Sequence, residues 1–129
     1  MHYSQLHTDV QSSLESGSGD QDVLRVHLQG FIDWHVIEEH LEGLLARVER
    51  HAPSAILCDL RAISGYDAAA PALAREWCML VRRAGIQRVA LVATSSVLRT
   101  HAHMLARDLD LDMRSFLGET EALRWLGSL

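Results

Sequence analysis

The chain has 129 residues, 48% of them hydrophobic, and a formal net charge of −5 at pH 7. That length accommodates one domain with a self-sufficient core, and the apolar content excludes an intrinsically disordered chain. The acidic balance, with a pI near 5.8, argues against a nucleic-acid footprint.

No stretch approaches the roughly 20 apolar residues of a membrane span, so no integral membrane segment is expected. No basic start followed by an apolar run signals export. Cys58 and Cys78 form no CxxC pair, so buried reduced thiols and a cytoplasmic location are expected. All twelve basic residues are arginine, which reads as a coding bias and not as function.

Residues 1–21 carry the weakest pattern. Met1 to Leu14 can contribute a strand, and Glu15 to Asp20 reads as a polar turn or hairpin loop. From Val23 to Gln29 the chain alternates, with Leu24, Val26 and Leu28 on one side and Arg25, His27 and Gln29 on the other. This predicts a strand with one wet face, near an edge or on an uncovered side of its sheet. Gly30-Phe31-Ile32 then leads to Asp33, a helix-capping residue type.

Trp34 to Arg50 is the clearest helix. Ile37, Leu41, Leu44, Leu45 and Val48 recur at helical spacing, with glutamates on the other faces and Pro53 just past the end. Ala55 to Leu60 follows as a short run that is apolar on both faces, bounded by Pro53-Ser54 and Ser64-Gly65. That is the pattern of a central parallel strand covered on both sides, with a turn at Ser64-Gly65. Asp67 is placed to cap the next helix, about Asp67 to Arg83, although Pro71 draws the start toward itself. Leu73, Trp77, Leu80 and Val81 form its stripe, and Gly85 ends it.

Arg88 to Ala93 is a second buried strand. Thr94-Ser95-Ser96 turns into a helix from about Val97 to Asp108, carried by Leu98, Ala102, Leu105 and Leu109. Met113 to Leu117 reads as a short last strand, and Glu119 to Leu126 as a closing helix that buries Ala122, Leu123 and Leu126. Strands and helices that alternate over short connections imply parallel pairing and right-handed crossovers. The class is α/β.

With these elements in place, the chain resembles STAS domains, the fold of the bacterial sporulation anti-sigma factor antagonists. More closely, it resembles the SpoIIAA-like family, whose fold is akin to STAS and to lipid-binding CRAL-TRIO domains. The residues that carry the resemblance are Gly30, Asp59-Leu60, Arg88 to Val92, and the closing set Phe116, Ala122, Trp125 and Leu126. It spans Val23 to Leu126. It implies one STAS-like domain over 1–129, with a mixed, mostly parallel sheet of four to five strands and about four helices. It also implies a non-enzymatic protein.

One departure matters. In the antagonists the pivot Asp-Leu leads at a fixed interval to Asp-Ser, and that serine is the phosphorylated switch. Here Asp59 and Asp67 keep the interval, but Ala68 follows and has no hydroxyl to phosphorylate. Ser64 lies in the same stretch at another position. The resemblance therefore does not carry the phosphoswitch across.

The remaining chemistry is sparse. His101 and His103 on a helix diverge by about 200°, His35 and His40 also splay, and the other histidines lie in unrelated elements, so no metal is expected. The chain has no Gly-x-Ser-x-Gly elbow, no Gly-x-Gly-x-x-Gly and no Walker loop, and no cofactor is implied. Asp59 is either a perturbed carboxylate or an acceptor for the loop after it. Trp34, after the Asp33 cap, lines a pocket or a dimer contact, or packs on the N-terminal strand. Trp77 and Trp125 sit at core-facing spacing. Arg75, Arg82 and Arg83 read as a solvated helix face.

Ligands of open α/β sheets meet the carboxyl ends of the strands. The candidate ligand- or partner-binding residues are thus Trp34, Asp59, Ser64, Tyr66, Asp67, Thr94 and Ser95. Two functions fit. One is an interaction or regulatory module that binds a protein partner or a second copy of itself. The other is a carrier or sensor of a small apolar or lipid ligand. The ordinary Leu/Ala stripes leave little volume for a cavity and tilt the sequence toward the module. An apolar pocket of several hundred cubic ångströms near Trp34 would reverse that tilt.

Overall fold

Each crossover between parallel strands must carry the chain back to where the previous strand began, and here a helix does so every time. The computed structural model describes residues 8–9, 15–17, 21–51 and 53–128. Side chains are described from position 23 onward, except at 34, 36, 37, 40, 41, 44, 47, 51, 52, 70 and 129. The elements are β1 (Thr8–Asp9), β2 (Glu15–Gly17), β3 (Gln21–Ile32), α1 (Trp34–His51), β4 (Ala55–Tyr66) and α2 (Ala70–Arg83). They continue with β5 (Arg88–Val92), α3 (Ser96–Leu109), β6 (Met113–Phe116) and α4 (Glu119–Leu126).

The sheet runs β1-β3-β4-β5-β6, with β2 also paired to β3. β3 to β6 are all parallel, while β1 and β2 are antiparallel to β3. The expected α/β class and mixed, mostly parallel sheet are what the structure shows. The two short N-terminal strands bring the sheet to six. Because β3, β4, β5 and β6 lie side by side in chain order, right-handed crossovers put α1, α2 and α3 on one face. α4, which follows β6, folds under the opposite face.

The core is split accordingly. On the three-helix face Leu24, Ile56, Val89 and Met113 form one row across the four parallel strands, beneath Val48, Trp77, Val81, Ala106 and Leu109. On the other face Leu57, Ala90 and Val92 pack against Ala122 and Leu126 of α4. Leu24, Ile56, Val89, Ala90, Val92 and Ala122 expose none of their surface.

Three expectations need correction. Glu15 to Asp20 is not wholly a turn, because Glu15–Gly17 pairs with Gln21 to Val23 as β2; residues 18–20 lie outside the described residues. The Ser64-Gly65 turn is not a turn either. β4 runs on to Tyr66 alongside a β3 that itself reaches Ile32, so Gly30 and Gly65 are both strand residues. The register shifts twice on the way, since Leu28 lies opposite both Leu60 and Arg61, and Ser64 is an extra residue between Ile63 and Gly65. The polar Ser-Gly pair marks a β-bulge, which has the composition of a turn for the same conformational reasons.

The third correction concerns α2, which begins at Ala70 and not at Asp67. Asp67 Oδ1 accepts from Ala69 N (3.1 Å), and the helix has no side-chain cap. Pro71 sits in the first turn, where its missing donor costs nothing, and it shifts the start as anticipated. Gly85, with φ of +83°, closes α2 through bonds from Gly85 N to Arg82 O and Ile86 N to Val81 O. Ser95 caps α3 by accepting from Leu98 N (3.3 Å).

Candidate functional site

Toward the carboxyl ends of the strands, the side chains on the three-helix face become smaller. The row after Leu24-Ile56-Val89-Met113 is Val26, Cys58, Leu91 and Ser115. Beyond it come Leu28, Leu60 and Ala93. Facing these, α2 presents Pro71, Ala74, Trp77 and Cys78, and α3 presents Leu98, Ala102 and Leu105. Ala74, Cys78, Ala102 and Ser115 among them leave the space between floor and roof unfilled. The result is a cavity of 410 Å³ between the sheet, α2 and α3.

The two bulges of β4 complete its wall. In an unbroken strand, side chains on one face recur every second residue. Here Cys58, Leu60, Ile63 and Tyr66 all line the cavity, because each bulge adds one residue to the spacing. Without the bulges Ile63 would face the α4 side. Bulges re-aim side chains in this way beside many binding sites.

The lining is almost wholly apolar. Arg99, His101, Asp108, Tyr66 and Ser115 supply its few polar groups. Arg99 NH1 is committed to the carbonyls of Ala93 (3.1 Å) and Thr94 (2.9 Å), where it ties the end of β5 to α3. Asp108 pairs with Arg75 (3.8 Å) across the seam between α2 and α3, and Arg82 NH1 donates to Leu109 O (2.7 Å) close by. His101, Met104 and Asp108 are exposed, so the cavity reaches the surface along this seam.

Two thiols face the cavity, but not as nucleophiles. Burial, and secondarily the neighbouring Cys78 and Asp59, pushes the Cys58 thiol up to about 12. Burial alone pushes the Cys78 thiol up to about 12. A neutral thiol is a small apolar group, not a catalyst. The site offers shape and a mainly apolar surface. Ser115 lies on its floor, and the indole Nε1 of Trp77, which also lines it, is buried without a hydrogen-bond partner among the described residues.

The sequence-derived candidates scatter around this site. Tyr66 lines the cavity. Thr94 and Ser95 are not among the lining residues: the Ser95 hydroxyl caps α3, and the Thr94 carbonyl accepts from Arg99. Ser64 is exposed on the second bulge, and Asp67 is tied to the turn before α2. Trp34 opens α1, and its side chain lies outside the described residues.

Asp59 lies on the opposite face. It accepts from Arg61 N (3.1 Å), Arg61 Nε (2.9 Å) and Arg61 NH2 (2.9 Å), with His27 Nδ1 at 3.6 Å. The Arg61 side-chain hydrogen bonds, reinforced by its backbone N–H and its charge, hold the carboxyl below its usual range. Of the two readings open in the sequence, the geometry is that of an acceptor satisfied by its own strand. Beside it, Arg25 pairs with Glu119 at the start of α4. Trp125 lies under the guanidinium groups of Arg88 (4.8 Å) and Arg114 (5.2 Å) and against Phe116 (5.6 Å), a packing role.

The residues that build the cavity were legible only as core stripe. Leu98, Ala102, Leu105 and Trp77 carried the correct burial signal and no signal of an empty volume. The one available hint was the small-residue series Pro71, Ala74 and Cys78 on the face of α2 that meets Ala102 of α3.

A parallel sheet with three crossover helices on one face and a fourth helix beneath places the chain in the α/β class. The SpoIIAA-like family model matches residues 23–127, and the chain belongs to that family. Among solved structures, it is similar to an uncharacterised protein from Shewanella loihica with a SpoIIAA-like fold, at 15% identity and a TM-score of 0.75 over 98% of both chains. It is also similar to the anti-sigma factor antagonist SpoIIAA in its unphosphorylated form, at 16% identity and 0.65 over 97% of this chain and 98% of that one. The phosphorylated form of the Bacillus cell fate determinant SpoIIAA gives 16% identity and 0.64 over 95% and 99%. At these identities the likeness is one of fold. No curated protein matches the sequence.

Proposed function

We propose that this protein is a non-enzymatic carrier or sensor of a small apolar ligand, which it holds between the sheet and the α2–α3 pair. The observation that carries the reading is the 410 Å³ cavity with a mainly apolar lining. Its size falls in the range of ligand pockets, about 300–1,000 Å³. Well-packed interiors leave few voids larger than a water molecule, so a hollow of this size is better read as a site than as loose packing. The neutral thiols and the committed Arg99 support binding over chemistry.

A protein-interaction module is the competing reading, supported by the fold shared with the SpoIIAA antagonist. Ala68 removes the switch serine, and the carboxylate of Asp59 is already engaged by Arg61 of its own strand.

The test is a titration with linear alkanoic acids of increasing length, followed by tryptophan fluorescence, since Trp77 lines the cavity. Each added methylene is expected to tighten binding about fourfold, or about 0.8 kcal/mol, until the chain fills the space. Ala74→Phe, at the exposed edge of the wall, should weaken binding at least about tenfold while the far-UV spectrum stays unchanged. No length dependence, or undiminished binding by Ala74→Phe, would sink the carrier reading and leave the module in front.

A further inference from the structure

The carrier reading leaves open what the ligand carries besides apolar surface, and Trp77 bears on this. It lines the cavity from α2 and exposes only 8% of its surface. Its indole Nε1 is buried and has no hydrogen-bond partner among the described residues. An indole N–H is a donor and nothing else, and a buried tryptophan ordinarily finds an acceptor for it. A phenylalanine would present apolar surface here without a stranded donor, so the nitrogen, more than the ring, calls for a partner.

The lining does not supply that partner. Pro71, Ala74 and Cys78, which line the cavity from the same helix, and Cys58 on the floor carry no strong acceptor in their side chains. Water is a poor substitute, because a buried water is held by about three polar groups, and β6 adds one hydroxyl, that of Ser115. An oxygen that arrives on an apolar body needs a single donor, since the walls hold the rest of the molecule.

We propose that the cavity selects a neutral, apolar molecule with one acceptor oxygen, such as a ketone or an ester, and that Trp77 turns its N–H into the open volume to donate to that oxygen. The inference rests on the carrier reading and names the class of ligand carried. Charge is unwelcome inside. The burial that pushes the Cys58 and Cys78 thiols up to about 12 disfavours any anion beside them. Arg99 NH1 is committed to two carbonyls, and His101 and Asp108 stand exposed. A plain hydrocarbon leaves Nε1 as it is, and an alcohol brings a donor of its own that needs a further partner.

The experiment uses the full chain and three probes of similar shape: methyl heptyl ketone, the alkene in which a CH2 group replaces the ketone oxygen, and nonanoate. Calorimetry compares wild type with Trp77→Phe. Loss of the N–H should weaken ketone binding about fivefold more than alkene binding, the net worth of one hydrogen bond. The alkene absorbs any effect of the smaller ring. Nonanoate should bind wild type more weakly than the ketone does. Heteronuclear NMR of wild type reads the contact directly and does not depend on the variant folding. The Trp77 indole N–H signal, assigned from triple-resonance spectra, should move downfield with the ketone and not with the alkene.

Equal losses for ketone and alkene in Trp77→Phe, or an indole signal that stays in place in the ketone complex, overturn the donor and keep the carrier. Tighter binding of nonanoate than of the ketone overturns the neutral ligand and keeps the carrier. No binding of any of the three probes removes the carrier reading and this inference with it.

Discussion

The two faces of the sheet are built from the same residue types and end in opposite states. Under α4, Leu57, Ala90, Val92, Ala122 and Leu126 close on one another, and none exposes more than 2% of its surface. Under α2 and α3, Leu28, Leu60, Leu91 and Leu105 are only half-buried, because a cavity stands where their partners would be. The difference lies in connectivity. α4 is short and packs directly on β4, β5 and β6. α2 and α3 are fixed at both ends by the strands they connect, so the gap between them is set by the strands and not by side-chain volume.

Removing side chains on each face separates these states. Leu126→Ala, on the closed face, is expected to cost about 3 kcal/mol, the transfer term plus a new void, with fatty-acid binding by the folded fraction unchanged. Chemical denaturation measures the first and the fluorescence titration the second. A cost below about 1 kcal/mol would mean that the α4 face is no better packed than the other.

Leu91→Ala, on the cavity floor, should cost less, about 1–2 kcal/mol, because the side chain already borders empty space. It should also lengthen the longest alkyl chain that binds with full affinity. If chain-length selectivity stays where it was, the ligand does not sit on β5.

Asp59→Asn tests the polar cluster beside α4. Its three acceptor contacts are to a half-exposed arginine, so solvent screening trims their worth to about 1 kcal/mol at neutral pH. The folded carboxyl titrates below its unfolded value of about 3.9. Its contribution is therefore present above that pH and disappears as pH falls through the folded value. The stability gap between wild type and Asp59→Asn should close under acid denaturation once the pH has fallen below the usual carboxylate range. A gap that persists there would assign the effect to packing.

Ser64→Ala should have the smallest effect, within about 0.5 kcal/mol, since the residue is exposed on a bulge. It should leave fatty-acid affinity unaltered. A large loss of affinity would make Ser64 a contact residue in its own right.

These contrasts also separate what the chain states openly from what it conceals. The helix limits were written locally, by Pro53 after α1, Gly85 after α2 and Ser95 before α3, because caps and breakers act within one turn. The two-residue alternation of β3 and the apolar runs of β4 and β5 declared strands and their burial, because a side chain's direction follows from backbone geometry alone. The family pattern was legible for the same reason, since its residues are the ones that form the fold.

What the sequence did not disclose depended on distances between separate elements. Ser64-Gly65 read as a turn because turns and bulges ask for the same small residues, and only the partner strand β3 decides which of the two forms. Leu105 and Leu91 read as core because periodicity reports which way a side chain faces, not how far off the opposing layer stands. The sequence by itself determined the order of strands and helices and the two apolar faces of the sheet. The tertiary structure decided that one face closes and the other stays hollow, because only the spacing of α2 and α3 over a doubly bulged strand sets how much volume the same side chains must fill.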